Sequence, residues 1–186
     1  LDDNRVVVIP HGEYGFFGSR GDRVDRDSAR EGLDLEPEHE VALFFGHIRE
    51  YKGLDILLEA WSTVIESRPT ARLVVAGDPA QLDAARRREI DQWAQRLGVV
   101  RRFAYIPFSD VARYFGAADV LVIPYRRISQ SGVLFLGLSL GLPVVASSVG
   151  GFPETLSDGE SALLVAPESP VELARALIRV IGDPEL

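Results

Sequence analysis

Apolar residues recur along this chain in two alternating rhythms. Short apolar runs of strand length occur at residues 6–9, 41–45, 72–76, 101–106, 120–123, 144–146 and 162–165. Between several of them the apolar positions fall three and four apart. Leu54, Leu57, Leu58, Trp61, Val64 and Ile65 make one face of an amphipathic helix over 54–67. Asp78, Pro79 and Gln81 read as N-cap, first helical residue and capping-box partner of a second helix, whose inner face is Ile90, Trp93, Ala94 and Leu97 and which Gly98 stops. Ser109 reads as the cap of a short helix with Val111, Tyr114 and Phe115 inward. Ser169 to Glu172 reads as a capping box that opens a final helix burying Leu173, Leu177, Ile178 and Ile181. The polar stretch 18–40 holds at most one short helix, near 28–33, and is read as a solvated connector.

The densest stretch is 124–154. A loop containing Arg126, Arg127, Ser129, Gln130, Ser131 and Gly132 leads into a helix that starts near Ser131. That helix is apolar nearly all round, so it lies between other elements. Gly141 ends it, Pro143 prevents its return, and 144–146 is a short buried strand. Gly150 and Gly151 then let the backbone approach a ligand closely.

Strands alternating with helices predict right-handed βαβ crossovers and a mostly parallel sheet covered on both faces, an α/β, Rossmann-like three-layer domain. Ligands of such sheets bind beyond the carboxyl ends of the strands. The loops after Ile9, Phe45, Ala76, Ile106 and Ile123 all leave at that end, so they converge on one edge. A helix starting at Ser131 points unpaired N–H groups and its positive dipole end at that edge, and the natural guest is a phosphate.

Composition narrows the possibilities. A chain of 186 residues with 46% hydrophobic and 26% charged residues can bury a substantial core as one domain over 1–186. The formal charge of −8 argues against a general nucleic-acid binder, which needs a basic face, and against adhesion to anionic lipid. Cysteine is absent, which excludes disulfides, zinc thiolates and thiol nucleophiles. His11, His39 and His47 have no close metal-ligand spacing. The longest apolar stretch, 133–146, is interrupted by Ser139, Gly141 and Pro143 and is too short to span a bilayer. No signal peptide is visible, so the expected location is cytoplasmic. Methionine is absent even from position 1, and the chain opens abruptly before its first strand. It is therefore read as a piece of a longer protein.

Four motifs carry a family resemblance: Ile9-Pro10-His11-Gly12, the stretch from Phe45 to Gly53 (FGHIREYKG), Val74 to Asp78 (VVAGD), and Gly141 to Glu154 (GLPVVASSVGGFPE). In this order they resemble the C-terminal, donor-binding half of retaining GT-B glycosyltransferases of the group 1 family. The resemblance implies a nucleotide-sugar-binding domain whose partner, the N-terminal acceptor domain, lies upstream in the parent chain. It implies transfer of a sugar from a nucleotide-diphosphate donor to an acceptor, with retention and with neither metal nor cofactor. The isolated piece is expected to be inactive.

Carried over residue by residue, Lys52 matches the lysine of the family's arginine–lysine phosphate pair. The arginine's place falls on His47, so either Arg49 compensates or His47 makes the contact itself. As surface charges, Arg49 and Lys52 would stand at a helix start, where the dipole disfavours cations; that favours a functional reading, most strongly for Lys52. Gly12 is expected near the donor, and His11 and the aromatics Tyr14, Phe16 and Phe17 in plain structural roles. The loop at Ile106 and Pro107 corresponds to the family's nucleobase site. Two family glutamates fall on Ile128 and Leu136, neither of which can accept a hydrogen bond from a sugar hydroxyl; Gln130, Ser131 and Gly132 are expected to take over part of the donor contact. Glu154 matches a family glutamate, although a first-turn acid satisfying the helix dipole is the plainer reading. Arg126 and Arg127 could reach phosphate or simply be solvated, and the arginines at 86–88 and 101–102 read as exposed faces. No catalytic residue is assigned. The rival is a GT-B-like domain that has lost its donor and is not catalytic. A dinucleotide-binding Rossmann domain fares poorly, because no G-x-G-x-x-G follows the first apolar run.

Overall fold

The computed structural model describes Gly12 and residues 24–182. The strand expected at 6–9, and His11, Tyr14, Phe16 and Phe17, lie outside the described residues. The elements are α1 (Arg26–Glu31), β1 (Glu40–Phe45), α2 (Leu54–Ser67), β2 (Ala71–Ala76), α3 (Ala84–Arg96), β3 (Val100–Arg102), α4 (Phe108–Ala117), β4 (Val120–Ile123), α5 (Gly132–Ser139), β5 (Val144–Ser147), α6 (Phe152–Thr155), β6 (Leu163–Val165) and α7 (Pro170–Gly182). A 3-10 turn, Glu50–Lys52, precedes α2.

The six strands form one parallel sheet in the order β3-β2-β1-β4-β5-β6. Successive side chains on a strand point to opposite faces, and here both sets are apolar because both faces are covered. Ala42 and Phe44 join Leu57, Trp61 and Leu177 in the core under α2 and α7. Val41 and Leu43 join Phe115, Leu134 and Phe152 in the core under α1, α4 and α5. The chain lays β2 and β3 outward on one side of β1, then returns to place β4 on the other side. The loops after β1 and β4 therefore leave neighbouring strand ends in opposite directions, and the crevice they open is where ligands of such sheets sit.

Four sequence expectations are corrected. The second long helix starts at Ala84, not at Pro79: Asp83 is the N-cap and accepts from Ala85 N at 2.9 Å and Arg86 N at 2.8 Å, while Asp78 closes only a local turn with Ala80 N. The strand expected over 101–106 is only Val100–Arg102, which among the described strands pairs with β2 alone. Ser109 lies inside α4, whose N-cap is Pro107. At α7 only half of the capping box forms. Ser169 Oγ accepts from Glu172 N, but the Glu172 carboxylate turns to Ala166 N at 2.9 Å.

The double glycine also serves a different purpose from the one expected. Gly150 has φ +53°, and a Cβ there would lie 1.6 Å from the Ile128 carbonyl oxygen; a Cβ on Gly151 would lie 2.6 Å from that of Ser129. The close approach is to the chain's own 128–129 loop, with Gly151 N donating to Ser129 O at 3.2 Å. The pair clamps the loop before α5 and is not open toward a ligand on that side.

Candidate anion and ligand site

The site is built where β1 and β4 end side by side. After β1 the chain turns through Gly46 and His47, and Ile48 donates its N–H to Asp78 O at 2.9 Å. It then closes the 3-10 turn with Lys52 N donating to Arg49 O at 3.0 Å. Gly53 ends the turn at φ +68°, and a Cβ on it would lie 2.1 Å from Pro124 O. Only glycine lets this turn press against the loop that follows β4. Arg126 N donates to Tyr51 O at 2.7 Å and Arg126 Nη1 to Glu50 O at 2.6 Å, tying the same two loops together.

This turn folds the Lys52 side chain back over the strand end. Its Nζ would be 3.0 Å from a Cβ on Gly46 and stands 5.3 Å from the centroid of the Tyr125 ring. Lys52 is 7% exposed, and among the described residues no carboxylate pairs with it. Burial, and then the nearby Arg49 charge, lower its pKa to about 8. A buried ammonium with no counter-charge is costly, and a bound anion would remove the cost.

Across the crevice Ser131 caps α5, its Oγ accepting from Leu134 N at 3.4 Å, as the sequence predicts. Lys52, Ser131 and Gly132 line the same cavity of about 430 Å³. His47, Gln130 and Ile106 line it too, so six of the expected residues are brought together. Three are not among its lining residues. Arg49 is turned toward Leu82 and Ile90, its buried Nε without a partner among the described residues, although its charge still reaches Lys52. Pro107 is exposed, and the wall beside Ile106 is made by Tyr105 and Phe108 instead. Gly12 is exposed and is not part of the described wall.

Ile128 and Leu136 both face into this cavity, so the two positions read as missing glutamates are indeed wall positions. Among the described residues that line it, Asp78 is the only carboxylate. The sequence reading missed Tyr125, which lies 1% exposed in the same wall; an aromatic two residues after a strand end was the available signal. It also misplaced Arg126. Arg126 donates to both Asp55 oxygens at 3.0 and 2.9 Å and to Glu168 at 2.9 Å, so it is committed to carboxylates. Burial pushes the Asp55 carboxyl up, but the Arg126 hydrogen bonds and charge outweigh it and hold the group below its ordinary pKa. Arg86 shares Asp55 and is likewise not a free surface charge. Among the described residues no group of three His, Asp or Glu side chains could hold a metal ion, and no helix is long and apolar enough to cross a membrane.

Comparison with known proteins agrees with this architecture. The chain is 32% identical over 188 residues to a D-inositol 3-phosphate glycosyltransferase of Segniliparus rotundus, covering 99% of this chain and 41% of that protein. It thus spans about two fifths of the relative's length. Sucrose-phosphate synthase of Thermosynechococcus elongatus superposes with a TM-score of 0.72 at 30% identity, over 88% of this chain and 41% of that one. An Anabaena protein solved in complex with UDP superposes with a TM-score of 0.76 at 24% identity, over 90% and 44%, and shares the fold. The profile of the family described as Glycosyl transferases group 1 matches residues 39–183, from just before β1 to the end of α7. With a Rossmann-like parallel sheet of the GT-B type and this match along most of its length, the chain belongs to the group 1 glycosyltransferases.

Proposed function

We propose that this chain is the donor-binding part of a glycosyltransferase that takes a sugar from a nucleotide-diphosphate sugar, while an acceptor-binding part lies elsewhere in a longer parent chain. The observation that carries the reading is Lys52: an ammonium buried without a counter-charge among the described residues, lining the same cavity as the capped start of α5 at the sheet's switch point. As the glycosidic bond breaks, negative charge grows on the leaving diphosphate. Lys52 and the N–H groups at the start of α5 are fixed where that charge develops, in a partly dry cleft. Tyr105 and Phe108, 71% and 62% exposed, offer aromatic faces to a nucleobase beside Ile106. UDP bound to the Anabaena neighbour makes a uridine nucleotide the first donor to test. Retention of configuration and independence from metal follow from the family resemblance and belong to the parent enzyme. On this reading the chain by itself binds donor weakly, and transfer requires the acceptor-binding part.

The test is to titrate UDP, GDP and ADP, free and sugar-linked, and follow backbone amide shifts. Shifts centred on Lys52, Ser131 and Gly132 are expected with at least one nucleotide; silence at these residues with all of them ends the proposal. Ile128 and Leu136 favour one alternative, a GT-B-like domain that keeps the fold without turnover. Sugar transfer by the parent chain would eliminate that alternative.

A further inference from the structure

We propose that Tyr125 is a ligand-binding residue of this site, its ring holding the Lys52 ammonium at the cavity and its hydroxyl donating a hydrogen bond to the bound anion. The inference rests on the anion reading of the cavity but concerns a residue that neither the motifs nor the family match assign. The ring is held from several sides. Tyr51 meets it edge-on at 6.0 Å, Phe152 packs on it at 5.7 Å, and the Lys52 Nζ stands 5.3 Å from its centroid. The neighbours come from two segments: Tyr51 and Lys52 from the 3-10 turn after β1, and Phe152 from the start of α6. The ring therefore has one position, and the hydroxyl with it.

That hydroxyl is buried, and among the described residues no hydrogen bond of normal geometry reaches it, Ser131 standing beside it as a weak partner only. Buried phenols are nearly always paired, because an unpaired one has given up its water for nothing. Burial pushes the phenol's pKa up, so at neutral pH it is an O–H donor and not a phenolate. A weak side-chain interaction with Ser131 offsets part of that rise, so the hydroxyl stands beside the residue capping α5 and keeps its proton available for a better acceptor. Lys52, Tyr125, Ser131 and Gly132 line one cavity, and in the proposed complex a phosphate oxygen held between Lys52 and the first N–H groups of α5 accepts this hydrogen bond. Ring and hydroxyl have separable jobs: cation–π attraction keeps the ammonium forward, and the phenol adds a charge-assisted hydrogen bond to the ligand.

Tyr125→Phe separates them, since it keeps the ring and removes only the donor. Calorimetric titration of the 186-residue protein with UDP and with inorganic pyrophosphate is compared between wild type and Y125F, together with thermal unfolding of both. Expected for Y125F is binding weakened about ten-fold for both ligands, with the melting temperature unchanged or raised. Binding within two-fold of wild type for both ligands overturns the inference and leaves the Lys52 site standing. Weaker binding accompanied by a lowered melting temperature also overturns it, because the hydroxyl would then be a structural partner. If wild type binds neither ligand, the anion site itself falls and the Tyr125 role with it.

Discussion

Arg30 and Lys52 are both buried cations of this sheet, at opposite ends of it, and they live under opposite rules. Arg30, 1% exposed, lies at the amino ends of β1 and β4. Its Nη2 meets Asp119 at 2.7 Å, its Nε donates to Ala117 O at 3.2 Å, and Nη1 reaches Pro37 O. Asp119 in turn accepts from Val41 N at 2.7 Å, so the pair stitches α1 to the first residues of two central strands. Every charge there is answered by the chain itself. Lys52, at the carboxyl ends of the same two strands, has a ring face and a neighbouring cation but no described acid. One end of the sheet is finished internally. The other is left electrostatically open, and an incoming anion completes it.

The sharpest way to break that contrast is to remove the acid at the closed end. Asp119→Ala strands Arg30 without a counter-charge, and urea unfolding is expected to show a loss of about 3 kcal/mol, with UDP affinity of the folded protein unchanged. A loss too small to resolve would mean that Arg30 is hydrated after all and that the two ends do not differ. At the open end the expectation inverts. Lys52→Met should weaken UDP and pyrophosphate binding about a hundred-fold, while the urea midpoint stays or rises because a costly buried charge has gone. A midpoint that drops would make Lys52 a structural cation like Arg30.

The smallest effect is in pH. Lys52 titrates near 8 in the folded protein, below its ordinary 10.5, because folding disfavours its charged form. Between those two values the unfolded chain holds more protons, so this group makes stability rise with pH across that window. Anion affinity runs the other way. It needs the ammonium, and should fall about ten-fold between about pH 7 and about pH 9. Titrations at the two ends of that range check it, and Lys52→Met should flatten both slopes. Opposite slopes for stability and affinity are the signature of an open-end cation; parallel slopes would contradict it.

Much of this was legible along the chain. The helix over 54–67 has the same bounds in the structure, because Leu54, Leu57, Leu58, Trp61 and Val64 repeat on one face. Ser131 was legible as a cap because a polar loop meets an apolar run there. The misread cap at Asp78 shows the limit of local rules: Asp78, Pro79 and Gln81 satisfy a capping pattern, yet Asp78 sits at the mouth of the cavity and the helix waits for Asp83. Gly150 and Gly151 were legible as a place of close approach, but the approaching partner is the backbone of residues 128 and 129.

Local sequence therefore determined where most of the described strands and helices lie, that the sheet is mostly parallel and doubly covered, and that the loops after β1 and β4 leave at one edge, since these follow from spacing within a few residues. Only the tertiary structure decided that β4 returns to lie beside β1, that Lys52 is buried without a described acid, and that Tyr125 stands between it and Ser131. Those are statements about which distant segments become neighbours. Burial and charge compensation are properties of neighbours in space, and no periodicity along the chain carries them.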